Sequence, residues 1–346
     1  MTGTERFSAL AEGRLPDRVP VLCNLLDQGA RELGMTQRQY YSRAGHVAEG
    51  QLRMREKYGY DVLWGYFYVG REAEVLGCRK MLWSENGAPN VGHLVIREPE
   101  DIERLEIPKD LSAIPAFREQ LECIRLLKEA AGGRTPVLSA VTGSVTLPSI
   151  LMGMDHWMRL LLTGPVSLRE ELLSKCSDFC TRQVRALREA GADFVAYTNP
   201  VASADFLTPR LFRELALPTI CRDIEAVGPA GIVYFCGGGR ILPTIAPIRE
   251  ATGLDAFYLN PFDDVAEAKR LLAGQGMCIG AINDIRLIDG SPEEIRADVR
   301  RIMAAGAPGG NFLFGTLLMP AMIPDDSIRV MIDAAHEFGE YGLVGV

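Results

Sequence analysis

Short, continuously apolar runs alternate along the chain with longer stretches in which apolar residues recur every three or four positions. Runs that are hydrophobic along their whole length are typical of parallel strands buried on both faces. There are eight such runs, at residues 18–24, 60–69, 135–141, 192–199, 231–237, 256–261, 277–284 and 311–316. The stretches between them have helical periodicity, so the pattern predicts an α/β fold of alternating strands and helices.

The helical stretches carry recognisable start and stop signals. In "SPEEIRADVRRIMAAG" (291–306), Ser291 is a natural N-cap, Pro292 occupies the first turn, Glu294 completes a capping box and Gly306 ends the helix. "DDVAEAKRLLAG" and "DDSIRVMIDAAHEFG" likewise begin with acidic residues and end at glycine. Eight strands with helical crossovers predict a (β/α)8 TIM barrel, and 1–346 is the length of one such domain.

Residues 70–134 interrupt this alternation. "CRKMLW" and "HLVI" predict a hairpin inserted after the second strand. The stretch "FREQLECIRLLKEAAGG" then predicts a helix leading into the third strand. No repeat, low-complexity tract or linker divides the chain, so we predict a single domain over residues 1–346.

Composition narrows the function classes. The chain has 47% hydrophobic and 24% charged residues, as soluble globular proteins do, and its net charge of -8 argues against nucleic acid or an anionic membrane as partner. No apolar run is long enough to cross a bilayer, and the polar N-terminus lacks a signal-peptide core. We therefore predict a cytoplasmic protein. Its 8 cysteines form no CxxC pair.

Candidate functional residues lie where the predicted strands end, because barrel enzymes place their chemistry at the C-terminal ends of the strands. These positions are rich in tyrosine, amides and hydroxyls. They are Asn24, Asp27, Tyr66, Tyr68, Thr142, Ser144, Tyr197, Asn199, Tyr234, Cys236, Asn260, Asn283, Asp284 and Thr316.

Several segments resemble the uroporphyrinogen decarboxylase superfamily, which contains decarboxylases and corrinoid-dependent methyltransferases. The matching segments, in order, are "PDRVPV", "REKYGYDVL", "TGSVTLPSILMG", "LTPRLFRELALPTICRDIEAVG", "VYFCGGG", "DDVAEAKRLL", "IGAIND" and "GSPEEIRADVRRIMAAGAPGGNFLF". The resemblance spans nearly the whole chain and implies the same barrel fold.

The resemblance to the decarboxylase branch fails at three places. An "RQAGR"-like motif that clamps substrate carboxylates corresponds here to "DQGAR", with Asp27, Gln28 and Arg31. Tyr68 stands where the decarboxylases carry a strand-two aspartate, and "FGTLLMP" lacks their late histidine. We therefore do not expect porphyrinogen decarboxylation.

The resemblance to the methyltransferase branch is also incomplete. That branch is associated with a zinc site made of an H-x-C pair on strand five and a late cysteine. Here Tyr234 takes the histidine's place, Cys236 remains, and the late cysteine corresponds to about Leu317. Since zinc sites need about three protein ligands, we do not expect a zinc site of this type. Were zinc bound, Cys236 would be a ligand.

The remaining candidates have two readings each. Tyr66, Tyr68, Tyr197 and Tyr234 either line a ligand pocket or pack against the helices, and alternation places Tyr234 and Cys236 on one face. Polar residues at strand ends either touch ligand or cap helices. Our predicted catalytic residues are Tyr234, Tyr68 and Asn199. Our predicted substrate-binding residues are Asp27, Gln28, Arg31, Tyr66, Tyr197, Cys236 and Asn283.

The resemblance implies a methyltransferase component that moves a methyl group between a small substrate and a corrinoid (cobalamin) on a partner protein. With the zinc ligands missing, a methyl ether or methylamine fits better than a zinc-activated thiol. The alternatives are a decarboxylase or lyase of a small acid, and a non-catalytic ligand-binding barrel. A homodimer is compatible with the sequence, which does not determine the oligomeric state.

Overall fold

The computed structural model describes residues 1–85 and 89–341. Eight parallel strands form one sheet, and the prediction of a (β/α)8 barrel with an insertion after the second strand is confirmed. The barrel strands are β1 (Val21–Leu22), β2 (Leu63–Trp64), β5 (Val137–Thr142), β6 (Phe194–Thr198), β7 (Ile232–Phe235), β8 (Ala256–Tyr258), β9 (Met277–Ile282) and β10 (Phe312–Thr316). Their order in the sheet is β1-β10-β9-β8-β7-β6-β5-β2.

The two edge strands, β1 and β2, meet through Asp61. The Asp61 N–H donates to the carbonyl of Val21 at 2.8 Å, and the Val21 N–H donates to Asp61 Oδ2 at 2.8 Å. These bonds satisfy backbone groups that an open edge would leave unpaired, so the sheet closes on itself.

Helices surround the barrel because each crossover needs an amphipathic element to cover the outer face of the sheet. They are α1 (Gly3–Ala11), α2 (Gln28–Glu32), α3 (Gln37–Tyr40), α4 (Ala44–Tyr58), α5 (Arg71–Val75), α6 (Pro99–Arg104), α7 (Pro115–Ala131), α8 (Leu147–Met152), α9 (Met154–Thr163), α10 (Val166–Glu189), α11 (Pro209–Leu211), α12 (Leu217–Val227), α13 (Leu242–Thr252), α14 (Val265–Leu271), α15 (Arg286–Asp289), α16 (Pro292–Gly306) and α17 (Asp325–Phe338). Single 3-10 turns occur at Leu111–Ala113 and Pro200–Ala202, and a π-helical segment at Phe212–Ala216 joins α11 to α12. None of the helices in the described ranges is long and apolar enough to cross a membrane.

The predicted capping signals are present. In α16 the Glu294 N–H donates to Ser291 Oγ at 3.2 Å, and the Ser291 N–H donates to Glu294 Oε2 at 2.9 Å. Each side chain satisfies an amide that the first helical turn leaves unpaired. The polar pattern therefore determined this helix start locally.

The predicted hairpin forms, but its second strand lies earlier than expected. Strand β3 (Met81–Leu82) pairs antiparallel with β4 (Asn90–Val91), and "HLVI" (93–96) is not part of the pair. The chain leaves the hairpin because Ile96 is buried and its N–H donates to the Leu151 carbonyl at 3.0 Å. Burial against α8 therefore outweighs the strand propensity of this segment.

Side chains alternate between the barrel interior and the helical layer, as the pleat requires. Leu138, Ala140 and Thr142 of β5 face cavities inside the barrel. Val233 and Phe235 of β7 do the same, so Tyr234 between them faces the helices. This assignment decides which strand-end residues can reach a ligand in the barrel.

Candidate active site

A cavity of about 410 Å³ opens at the C-terminal ends of the barrel strands. We call it the mouth cavity. It is lined by Asn24, Trp64, Phe67, Val69, Ala140, Thr142, Thr146, Ser149, Ile150, Met154, Thr198, Pro200, Phe235, Gly237, Gly238, Asp284, Leu317 and Leu318. Its walls are mainly aliphatic and aromatic, with a few polar groups between them, as is typical of small-molecule sites.

The glycine-rich turn after β7 shapes one side of the mouth cavity. Gly237 has a φ of +55°, which an L-residue with a side chain adopts only with strain. A Cβ at Gly237 would also come within 3.0 Å of Pro200 Cγ. This turn keeps the opening free of side chains next to Phe235, whose ring packs 4.7 Å from that of Tyr258.

Two polar groups of the mouth cavity are left without side-chain partners. Asn24 is 5% exposed, and its Oδ1 has no hydrogen-bond partner within the described ranges. Asp284 is 8% exposed, and burial raises the pKa of its carboxyl while the adjacent backbone amides of Asp284 and Ile285 lower it. Asp284 is the single ionisable residue among those lining this cavity. A carboxyl in such surroundings can hold a proton at higher pH than a solvated one.

Tyr197, Tyr234 and Cys236 lie on the other side of the barrel wall. Their rings and thiol are buried between the sheet and the helices, and the Tyr197 and Tyr234 ring centroids are 6.0 Å apart. The Tyr234 hydroxyl lies against the Cys236 thiol and has no other hydrogen-bond partner in the described parts of the chain. Burial raises the pKa of the Cys236 thiol far above its ordinary value, so this thiol stays protonated.

Tyr197 belongs to a buried polar cluster centred on Asp223 of α12. The Tyr197 hydroxyl donates to Asp223 Oδ2 at 2.6 Å, and the hydroxyls of Ser144 and Ser177 also donate to this carboxylate. Burial raises the pKa of Asp223 to about 6 despite these donors. The cluster ties β6 to the helical layer and lies outside the mouth cavity.

Asn199 and Asn283 end strands without lining the mouth cavity. Asn199 is fully buried, its amide has no partner in the residues described, and a Cβ on Gly143 would collide with it at 2.6 Å. Asn283 Oδ1 accepts the Ile285 N–H at 3.2 Å, an Asx turn in the chain that leads into α15.

The "DQGAR" segment contacts other loops. Asp27 accepts the Tyr41 hydroxyl at 2.7 Å, and burial raises the pKa of its carboxyl to about 6. Gln28 Nε2 donates to the carbonyls of Met319 and Pro320. Arg31 donates to the carbonyls of Ala321 and Ile323 and pairs with Asp325. Gln28 and Arg31 therefore hold the loop that follows β10.

Tyr66 and Tyr68 face a separate cleft beside the mouth cavity. Phe67 and Val69, which alternate with them, line the mouth cavity itself. The predicted substrate-binding residues therefore fall into separate regions: the Asp27 segment, the cleft, and the layer behind β6 and β7. Their individual roles remain predictions. The strand-end set contained Asn24 and Asp284, but no local signal distinguished them from their neighbours.

Comparison with known proteins adds the evolutionary context of this site. The family model described as uroporphyrinogen decarboxylase (URO-D) matches residues 2–338. The chain belongs to the uroporphyrinogen decarboxylase family.

The similar proteins include both methyltransferases and uroporphyrinogen decarboxylases. The methylcobamide:CoM methyltransferase MtaA of Methanosarcina barkeri is 24% identical over 345 residues, covering 96% of this chain and 97% of the relative. A uroporphyrinogen decarboxylase of Chlorobium phaeovibrioides is 30% identical over 258 residues, covering 70% of each protein. The full-length similarity confirms the resemblance to the methyltransferase branch.

A solved structure shares the fold across the whole barrel. The structure of a methyltransferase from Methanosarcina mazei superimposes with a TM-score of 0.82 at 22% identity, covering 98% of this chain and 99% of that one. The barrel and its insertion are therefore a shared architecture.

The zinc arrangement suggested by the methyltransferase resemblance does not fit the residues present. Tyr234 and Cys236 are buried behind the barrel wall, whereas Leu317, at the place of the late cysteine, lines the mouth cavity. Within residues 1–85 and 89–341, no three His, Cys, Asp or Glu side chains are grouped closely enough to hold a metal ion.

Proposed function

We propose that this protein transfers a methyl group between a small substrate and a corrinoid carried by a partner protein. The support is the full-length similarity to methylcobamide:CoM methyltransferases, together with an apolar cavity at the catalytic end of the barrel. The cavity opens between strand-end loops, where a partner can present its corrinoid close to the substrate.

The lining of the mouth cavity favours a largely apolar methyl donor, of the methyl ether or methylamine class. Trp64, Phe67 and Phe235 offer aromatic surface, and no Lys, Arg or His is among the lining residues. A carboxylate substrate would therefore find no countercharge, which argues against the alternative of a decarboxylase for a small acid. A cationic methylamine would be favoured by the aromatic faces.

Asp284 is the proposed acid of this site. When a methyl group leaves an ether oxygen, negative charge develops on that oxygen, and a positioned proton donor lowers the barrier. The raised pKa of Asp284 keeps its proton available at higher pH than usual. The corrinoid supplies the methyl-accepting centre, while the chain binds the donor, excludes water and provides this proton.

Asn24 is proposed to orient the donor. Its Oδ1 has no hydrogen-bond partner in the described ranges, and it would accept a hydrogen bond from a substrate hydroxyl or amine once this atom, which is enclosed in this structure, is uncovered. Thr142 and Thr198 add hydroxyls to the opposite wall. The strand-end pattern predicted three catalytic residues, Tyr234, Tyr68 and Asn199. We propose that they support the cavity wall from behind or from the neighbouring cleft.

The decisive experiment compares Asp284→Asn with the wild type. The protein is mixed with reduced cobalamin and one methyl donor at a time. The donors are a methyl ether (anisole), an amine (methylamine) and a thiol (methanethiol). Methyl transfer is followed by the change in corrinoid absorbance. We expect an ether to react with the wild type, and Asp284→Asn to be about a hundredfold slower, the usual contribution of a general acid.

Asp289→Asn is the matched control, because Asp289 is exposed on α15 and lies outside the mouth cavity. Its rate should equal the wild-type rate. Equal rates for Asp284→Asn and Asp289→Asn would remove Asp284 from the chemistry. Turnover of the thiol alone would refute the substrate class, and carbon dioxide release from small acids without methyl transfer would refute the reaction.

A further inference from the structure

A second cavity, of about 570 Å³, lies beside the mouth cavity on the other side of residues 66–69. We call it the Arg71 cleft, and its floor and walls include Arg38, Tyr41, Tyr66, Tyr68, Arg71 and Trp83. Because successive side chains of an extended segment point in opposite directions, the tyrosines of 66–69 face this cleft while Phe67 and Val69 face the mouth cavity. The two cavities therefore share one thin wall.

Arg71 is buried in this cleft with donors to spare. It is 3% exposed, and Nη1 donates to the hydroxyls of Tyr66 at 3.2 Å and Tyr68 at 3.0 Å. Nε and Nη2 have no hydrogen-bond partner anywhere in the described ranges. Its ion pair with Glu74 is long, at 3.5 Å, and Glu74 also accepts the Tyr68 hydroxyl. A buried guanidinium with two unpaired nitrogens is costly unless an anion completes it.

The rim of the cleft adds further positive charge. Arg38, Arg79 and Lys80 line it, are exposed, and make no ion pair with any described residue. The opposing acids are Glu74, which is already engaged, and Glu119, whose Oε2 accepts the Ala44 N–H at 2.6 Å. The whole chain has a net charge of -8, so this local excess of cations is unlike the rest of the surface.

The walls are aromatic. The Tyr41 ring lies 5.5 Å from Tyr66, 5.1 Å from Tyr68 and 6.3 Å from Trp83, and Tyr68 lies 5.7 Å from Trp83. The Arg71 guanidinium stacks 4.3 Å from the centroid of the Tyr66 ring. Such surfaces bind flat rings by offset or edge-on contact. The cleft therefore combines oxyanion donors with a place for a ring.

We propose that the Arg71 cleft is a second ligand site, which binds a small aromatic molecule carrying a carboxylate or phosphate group. The oxyanion would pair with the Arg71 guanidinium, whose fork matches both anions, once the unpartnered Nε and Nη2, which are enclosed in this structure, are uncovered. The ring would lie against Tyr41 and Trp83. This site goes beyond the proposed methyl transfer, and its occupation does not depend on that reaction.

Binding can be measured without corrinoid or methyl donor, so a failure here is separate from a failure of the proposed function. Benzoate and phenyl phosphate are titrated into the protein while tryptophan fluorescence is followed. We expect saturable binding of one or both. It should be about tenfold tighter than the binding of cyclohexanecarboxylate or inorganic phosphate, because neither of these has an aromatic ring. The neutral ring of benzyl alcohol should bind at least about tenfold more weakly. Salt should weaken binding.

Substitutions locate the binding. Arg71→Met should lower affinity at least about tenfold, the loss expected for hydrogen bonds to a charged group. The exposed triple substitution Arg38→Gln, Arg79→Gln and Lys80→Gln cannot disturb the core and should lower affinity about tenfold. Arg213→Gln, an exposed arginine outside the cleft, is the control and should leave affinity unchanged.

Trp83→Phe should abolish most of the fluorescence change while leaving binding detectable by calorimetry. If the ligand still changes the fluorescence of Trp83→Phe to the wild-type extent, the ligand lies near Trp64 in the mouth cavity and the assignment is overturned. Absence of saturable binding for every probe, or equal affinity in the triple variant and Arg213→Gln, would also overturn it. Equal binding of inorganic phosphate and phenyl phosphate would refute the aromatic part.

Discussion

Two buried aspartates, at the starts and at the ends of the barrel strands, are held in opposite ways. Asp61, just before β2, accepts from Arg6 at 2.8 Å, from Arg18 at 2.6 Å and from the Val21 N–H at 2.8 Å. Asp284, just after β9, has no cation partner among the described residues, interacts with the backbone amides of Asp284 and Ile285, and lines a largely apolar cavity. The first carboxylate is fully satisfied, and the second is exposed to whatever enters the cavity.

The difference separates a structural acid from a chemical one. A buried carboxylate whose lone pairs are all used by the protein stabilises one geometry and cannot also serve a substrate. A buried carboxylate without such partners is costly to ionise, so it holds its proton and remains available to a ligand. In this barrel Asp61 closes the sheet, whereas Asp284 is the acid that we propose for the mouth cavity.

The largest expected effect is on stability at Asp61. Asp61→Ala leaves Arg6 and Arg18 without their buried partner, and the free energy of unfolding should fall by about 3–5 kcal/mol. Denaturant titration measures it. Asp17→Ala is the matched control, because Asp17 also pairs with Arg6 but its side chain is 43% exposed, so we expect a loss of about 1 kcal/mol. Equal losses would contradict the role given to burial.

Asp223 is the intermediate case, with hydroxyl donors but no cation bonded to it. Its pKa is about 6 in the folded protein and near 3.8 when unfolded, so the folded state binds the proton more tightly. Its stabilising contribution is complete below about pH 4 and is lost as the pH rises through 6. The loss amounts to about 3 kcal/mol.

Denaturant titrations at pH 4 and pH 7 on the wild type and Asp223→Asn measure this contribution. The pH-dependent loss in the wild type should exceed that in the variant, in which this titration is absent. Asp178→Asn on α10 provides a control, because Asp178 is exposed and paired with Arg182. If Asp223→Asn and the wild type have the same pH dependence, the raised pKa is wrong.

The smallest expected effect is at Tyr234, which separates the two sides of the barrel wall. Tyr234→Phe removes a buried hydroxyl whose only polar contact in the described structure is the Cys236 thiol, a weak hydrogen-bonding group, so stability should change by less than about 1 kcal/mol. Methyl transfer should change less than about threefold, since the ring and its packing remain. A loss comparable to that of Asp284→Asn would restore Tyr234 as the proton donor and displace Asp284.

Much of the fold could be read from local patterns. All eight predicted strands overlap an observed strand, because continuous apolar runs are typical of strands in a sheet covered on both faces. The run 60–69 was predicted as one strand, yet β2 ends at Trp64. The following residues leave the sheet and form the wall between the mouth cavity and the Arg71 cleft, which no local pattern marks.

The site was predictable only in part. Strand ends narrowed the search to a set that includes Asn24 and Asp284, because chain direction places those ends at one side of the barrel. Alternation correctly placed Tyr234 and Cys236 on the same face of their strand, but it cannot say which face points into the barrel. The sequence did not mark Arg71 as a candidate site residue, because "REAE" has the polar pattern of an ordinary helix start.

The sequence by itself determined the alternation of strands and helices, the capping of α16 and the family resemblance. It also determined that Tyr234 and Leu317 stand where the resemblance would have zinc ligands. These depend on residues close together in the chain or on residue identity alone. The tertiary structure decided that Tyr234 and Cys236 lie behind the barrel wall. It also brought two arginines to the Asp61 carboxylate and placed Asp284 beside a cavity. Burial and partners across the barrel set these properties, because the side of a strand and the pKa of an acid depend on neighbours distant in sequence.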